Sequence, residues 1–145
     1  MTATPVSTLE SSESMVLAVA RGASAKKATD TTVLRVGPLI GITEYFLITS
    51  GSNPRQVRTI AEEIERLFRT LYGLSPMSVE GYDDARWVLL DFGEFVVHVF
   101  IDEARSYYDI ERLWSDAERI DVDVVSPESF TSSNPTKSQV SPGVQ

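Results

Sequence analysis

Residues 95–101 read FVVHVFI, a run that is apolar on both of its alternating faces, and this constrains the fold more than any other feature of the chain. A strand without a polar face has to be covered from two sides, which places it at the centre of a sheet with packed layers on each side. Its neighbours agree with that placement. Residues 86–92 (RWVLLDF) read as a second strand, and Gly93-Glu94 supplies a tight hairpin turn between the two. Asp102 then stands as the cap of a last helix that runs to about Trp114.

The rest of the sequence builds outward from this unit. Val16, Val19, Ala20 and Ala23 recur at helical spacing within residues 12–29, with Ser11 or Ser12 as cap. Residues 31–36 and 44–49 read as strands separated by the Gly37-Pro38 break. The clearest helix is 54–72. Asn53 caps it, Pro54 occupies its first position, Gln56 stands three residues after the cap, and Gly73 offers a left-handed stop. Its stripe is Val57, Ile60, Ala61, Ile64, Leu67, Phe68 and Leu71. Residues 77–80 make a short strand and 81–85 a turn. The order α-β-β-α-β-β-β-α predicts an α/β fold, a mixed sheet of about five strands flanked by helices. Residues 12–120 form the expected domain, with flexible segments at 1–11 and 121–145 where Ser, Thr, Pro and Asn dominate.

Charge is unevenly placed. The 145 residues carry a net charge of −8. Residues 80–121 hold four basic and twelve acidic side chains, net −8, while residues 1–79 hold eight basic and seven acidic. Such a segment repels phosphate backbones and attracts a basic protein, so no direct sequence-specific nucleic-acid binding is expected. A solvated acidic face is the plainer reading of the same charges. There is no cysteine, hence no disulfide framework and no thiolate metal site. No apolar run approaches the roughly 20 residues of a membrane helix, and no membrane partner is expected. The N-terminus lacks a basic segment followed by an apolar run, which suggests a cytoplasmic protein.

Candidate chemistry is thin. Gly51-Ser52 lies between a strand and a helix, as a phosphate-binding turn does, and equally as a plain cap does. Magnesium-dependent nucleotidyl transfer also needs two carboxylates one residue apart on a strand. Asp91 has no such neighbour, Asp83-Asp84 are adjacent in a turn, and Asp121 and Asp123 fall where the pattern fades. His98 is the only histidine; it reads first as a structural residue, with Asp91 on the hairpin as an available partner. Trp87 and Trp114 are core by default and binding anchors by chemistry. On one continuous helix Arg105 would pair with Asp109, and Tyr108 would share a face with Glu111. No cofactor, metal or catalytic residue is expected, and the chain does not read as an enzyme.

The segment WVLLDFGEFVVHVFIDEARSYYDIERLW, residues 87–114, resembles the hallmark of the ribosomal silencing factor family (RsfS, also called Iojap-like). The matching positions are Trp87 and Asp91 on one strand, Val97-His98 on the next, and Arg105 through Tyr107, Tyr108, Asp109, Ile110 and Glu111 to Leu113-Trp114. Ile110 replaces the usual Leu, a volume-conserving swap. Upstream, Lys27 and Asp30 to Leu34, Thr43 to Ile48, Ser50 to Asn53, Arg55 to Val57 and Glu80-Gly81 resemble the family in order and spacing. Arg35 stands where the family has an acidic residue, and Glu44 where it has Asp.

The resemblance implies a sheet similar to that of nucleotidyltransferases without their active site. It also implies a partner, the large ribosomal subunit, bound through large-subunit protein fourteen. Occupying that face blocks joining of the small subunit and lowers translation when nutrients are scarce. The expected contact residues are Trp87, Asp91, His98, Arg105, Tyr108 and Glu111, with Trp114 supporting them from beneath. A homodimer of the free protein is a further expectation. Two alternatives stay open: a nucleotidyltransferase-like nucleotide-binding enzyme, and an acidic interaction domain for another basic protein.

Overall fold

The structure, a computed structural model, describes residues 11–26 and 28–122. The flexible segments expected at the two ends fall almost entirely outside these residues, as do Lys27 and Asp123. The elements are α1 (Ser12–Ala25), β1 (Thr29–Arg35), α2 (Gly37–Ile40), β2 (Tyr45–Gly51), α3 (Pro54–Tyr72), β3 (Ser78–Glu80), β4 (Trp87–Asp91), β5 (Phe95–Ile101), α4 (Asp102–Tyr108), α5 (Ile110–Leu113) and β6 (Glu118–Ile120). The described strands form one sheet in the order β3-β4-β5-β2-β1-β6. β5 lies inside it, antiparallel to β4 and parallel to β2, with Tyr45 opposite Phe95 and Gly51 opposite Ile101. The expected mixed α/β sheet is present, with six strands rather than five.

The two faces of the sheet are covered unequally. α1 and α3 pack on one face. Val16, Val19, Ala20 and Ala23 of α1 are buried, as are Val57, Ile60, Ala61, Ile64 and Phe68 of α3. Phe68 stacks on Phe95 with ring centroids 5.3 Å apart, so Phe95, Val97 and Val99 face this layer. Leu71 departs from the expected stripe: it lies in the last turn of α3 and is 51% exposed. The opposite face carries Phe46, Ile48, His98, Phe100, Trp87 and Leu89, aligned by the register of β2, β5 and β4. Among the described residues, the short α4 packs against β5 and β2, and Trp114 after α5 meets Phe46 of this face.

Local chemistry explains the boundaries. The Asn53 side chain accepts a hydrogen bond from Gln56 N–H at 2.8 Å, and Gly73 closes α3 in the left-handed region at φ 68°. The Gln56 side-chain oxygen turns to Ser52, accepting from its N–H at 2.7 Å and its hydroxyl at 2.8 Å. α1 stops at Ala25, short of the expected residue 29, because Thr29 already pairs with Ser50 in the sheet. Gly37-Pro38 opens the single turn α2 rather than a bare break, and Gly41 ends it at φ 74°.

The last helix is not continuous. Asp102 makes no side-chain capping bond; Ile101 holds the N-cap position. Asp109 adopts a left-handed conformation (φ 47°, ψ 51°), which ends α4 and reorients the chain into α5. Asp tolerates this region better than most residues because its short polar side chain bonds locally. The expected Arg105–Asp109 pair therefore does not form, and Tyr108 and Glu111 no longer share a helix face. β6, which the sequence pattern does not suggest, is secured by Arg35. That guanidinium donates to Glu118 at 2.9 Å, to Glu13 of α1 at 2.7 Å and to the Tyr45 hydroxyl at 3.0 Å.

Candidate functional site

The motif residues of the 87–114 segment separate into two groups on the less covered face of the sheet, with Asp91 apart from both. The first group is aromatic. Trp87 Nε1–H donates to His98 Nδ1 at 3.1 Å, a contact made possible because Leu89, two residues on, lies opposite His98 across the hairpin. The Trp87 ring lies 4.8 Å from Phe100 and 4.9 Å from Tyr108. Phe46 meets His98 edge-on at 4.6 Å and Trp114 edge-on at 5.5 Å. His98 is buried, and desolvation pushes its pKa down from 6.5 to about 4. It is neutral at pH 7, which leaves Nδ1 free to accept from Trp87 and puts the proton on Nε2. That Nε2 has no hydrogen-bond partner among the described residues.

The second group is an arginine clamp. Arg105 Nε and Nη2 donate to the two carboxylate oxygens of Glu111, both at 3.0 Å. Its Nη1 donates to Ser50 Oγ at 2.7 Å and to the Thr29 carbonyl at 3.3 Å. Arg105 thereby ties α4 and α5 to the ends of β1 and β2, and its side chain is only 12% exposed. The Arg105 hydrogen bonds hold the Glu111 carboxyl below the usual carboxylate range, against the opposing effect of burial. Arg119 of β6 approaches Glu111 at 3.7 Å. A polar groove of about 660 Å³ opens beside the clamp, bordered by Asp30, Thr31, Asp109 and Arg119.

Asp91 is the last residue of β4, four positions from Trp87 and about 13 Å along the strand. Its carboxylate accepts from Gly93 N–H at 2.8 Å, an Asx turn that shapes the hairpin, and it does not reach His98. Trp114 lies beneath, against Phe46, half-buried. The large exposed hydrophobic side chains of α4 and α5 are Tyr107 (80% exposed), Leu113 (76%) and Tyr108 (48%), and Tyr108 is the one whose ring meets Trp87. Tyr107 and Leu113 belong to the motif but are not among the expected contact residues.

Two features bear on nucleotide chemistry. The helix N-terminus at Ser52 is engaged by Gln56 rather than open. Among the described residues no strand carries two carboxylates one residue apart, and no cluster of three His, Cys, Asp or Glu side chains is placed to hold a metal ion. No helix of the described residues is long and apolar enough to cross a membrane.

Fold and site together define an α/β sheet domain with one fully packed face and one partly covered aromatic face, held in shape by an arginine–glutamate clamp. Residues 9–143 match the family described as ribosomal silencing factor during starvation. The chain belongs to that family. It is 43% identical over 98 residues to the ribosomal silencing factor RsfS of Bacillus subtilis, covering 68% of this chain and 82% of that protein. It is 32% identical over 92 residues to the mouse mitochondrial assembly of ribosomal large subunit protein 1, covering 62% of this chain and 40% of the relative. A crystal structure from Bacillus halodurans superposes with a TM-score of 0.63 at 34% identity, covering 73% of this chain and 96% of that one.

Proposed function

We propose that this protein is a ribosome-associated silencing factor that acts without chemistry. It binds the large ribosomal subunit through large-subunit protein fourteen and excludes the small subunit from the shared face. The observation that carries this reading is the half-exposed Tyr108, whose ring lies 4.9 Å from Trp87 and 5.0 Å from the exposed Tyr107. Exposed tyrosine beside a half-buried tryptophan is the composition of a binding hot spot. Membership of the silencing-factor family supports the role, and the name of the mouse relative, a mitochondrial protein of large-subunit assembly, supports the large subunit as partner.

Within this reading the contact draws on Trp87, Tyr108, Tyr107 and Leu113. His98 and Trp114 support the surface from below, Arg105 and Glu111 set its shape, and Asp91 forms one border at the hairpin turn. The protein works in the cytoplasm, and two free copies pair through the same apolar surface, in competition with the ribosome. The test is co-sedimentation with purified large subunits, followed by addition of small subunits. The wild type pellets with large subunits and suppresses joining. A folded Tyr108→Ala, Leu113→Ala variant does neither. Absence of wild-type pelleting would end this reading.

A further inference from the structure

The far edge of the sheet carries a second surface. Among the described residues β3 pairs with β4 on one side only, and all three of its residues are exposed. A bare strand edge presents unpaired backbone groups to any extended chain. Met77 just before it is 72% exposed and Val79 within it 41%. Val79 forms a wall of an open groove of about 650 Å³ shared with Glu65, Tyr82, Asp83 and Asp84.

The surroundings of this edge are acidic. Glu80 ends β3, Asp83 and Asp84 form the following turn, and Glu65 faces them from α3. The Arg58 guanidinium beside this set donates to the backbone carbonyls of Tyr82 at 3.2 Å and Asp83 at 2.7 Å. Its bonds therefore leave the carboxylates of Glu65, Glu80 and Asp84 to an incoming partner. The acidic line continues: Ile101 N–H donates to the Arg86 carbonyl, which brings Asp102 and Glu103 close to the start of β4. Glu80, Asp83, Asp84, Asp102 and Glu103 thus lie towards the same end of β3 and β4.

We propose that β3 is a docking edge for an extended, lysine- or arginine-bearing segment of a large-subunit protein, added as a further strand with its basic side chains on Glu65, Glu80, Asp83 and Asp84. This rests on the silencing reading above and extends its contact surface. Ser78 and Glu80 lie opposite Asp91 and Leu89, on the same sheet face as Trp87, while Val79 lies opposite Leu90 on the face that α3 covers and shares its groove with Glu65, so alternate side chains of the added strand meet the aromatic face and the acidic groove. A second copy of this chain fits poorly, because edge-to-edge pairing brings two sets of these carboxylates together. RNA is repelled by the same charges.

The experiment is hydrogen exchange on the full chain, alone and with purified large subunits, beside pelleting of a Glu80→Lys, Asp84→Lys variant. Both substitutions are on exposed positions, and a melting curve confirms the fold. The expected result is slowed exchange at Ser78–Glu80 on binding, and a variant whose affinity drops at least about tenfold with a weaker salt dependence. Wild-type pelleting with unchanged exchange at β3 and unchanged variant affinity overturns this proposal alone. Exchange protection in the free protein, rising with its concentration together with a dimeric mass, assigns the edge to a second copy and also overturns it. Failure of the wild type to pellet removes the silencing reading and this proposal together.

Discussion

Replacing Arg105 by Ala removes the clamp on which the contact helices hang. The side chain is 12% exposed and its partner Glu111 21% exposed, so the pair is largely shielded from water. Removing one partner of a fully buried pair costs about 3–5 kcal/mol, because the other charge is left uncompensated. Here Glu111 keeps some solvent and a distant second cation, Arg119 at 3.7 Å. Ser50 Oγ, which is buried, and the Thr29 carbonyl, which is exposed, also lose the hydrogen bonds the guanidinium donates to them. The expected loss is therefore about 2–3 kcal/mol, which lowers Tm by roughly 10 °C in a domain of this size. The pH dependence follows from Glu111. Its carboxyl is held below its unfolded value, so its contribution is present above the unfolded pKa and fades as pH falls through the lower folded value. The difference between wild type and variant, measured by urea unfolding, should be largest at pH 7 and shrink towards pH 3. A loss below about 0.5 kcal/mol would place the pair among ordinary surface pairs, and a difference that is the same at both pH values would show that Glu111 is not its carrier.

Three further outcomes are expected. His98 has a folded pKa of about 4 against 6.5, so the unfolded chain takes the proton first; stability should fall as pH drops from 6.5 to 4, by up to roughly 3 kcal/mol, and His98→Phe should flatten that slope in denaturant titrations. At Gly81 (φ 80°) an added Cβ would sit 2.1 Å from the Trp87 carbonyl oxygen; Gly81→Ala should cost more than about 3 kcal/mol or prevent folding, visible in circular dichroism. Asp109→Val should lose roughly 1–2 kcal/mol in thermal unfolding through its left-handed backbone, while Asp109→Gly should stay near wild type.

What the sequence discloses depends on how local the determining interaction is. α3 is legible because its cap at Asn53, its stop at Gly73 and its apolar stripe all lie within the helix itself. β5 is legible because burial on two faces leaves no polar alternation. The break between α4 and α5 is hidden, because Arg105, Tyr108, Asp109 and Glu111 fit a continuous helix equally well by spacing. Only the tertiary pull of Arg105 towards Ser50 and Glu111 shows the reorientation at Asp109. β6 is hidden for a similar reason: its three residues carry no period, and they are held by Arg35, more than eighty positions earlier. At the site, the motif locates the right segment but does not divide it. Tyr107 and Tyr108 are neighbours in sequence, yet Tyr108 leans on Trp87 while Tyr107 projects into solvent.

The parallel pairing of β2 with β5 sets the order in which this protein can be completed on a translating ribosome. Tyr45 meets Phe95 fifty positions later, and everything between them, α3 included, has to be made before the centre of the sheet closes. Contacts of such separation form late and slowly, after loop closure has been met. Until residues 95–101 have emerged from the exit tunnel, β2, buried along its whole length in the finished fold, has its β5-facing edge unpaired. A chain stalled before Phe95 is therefore an aggregation-prone fragment rather than a smaller version of the domain.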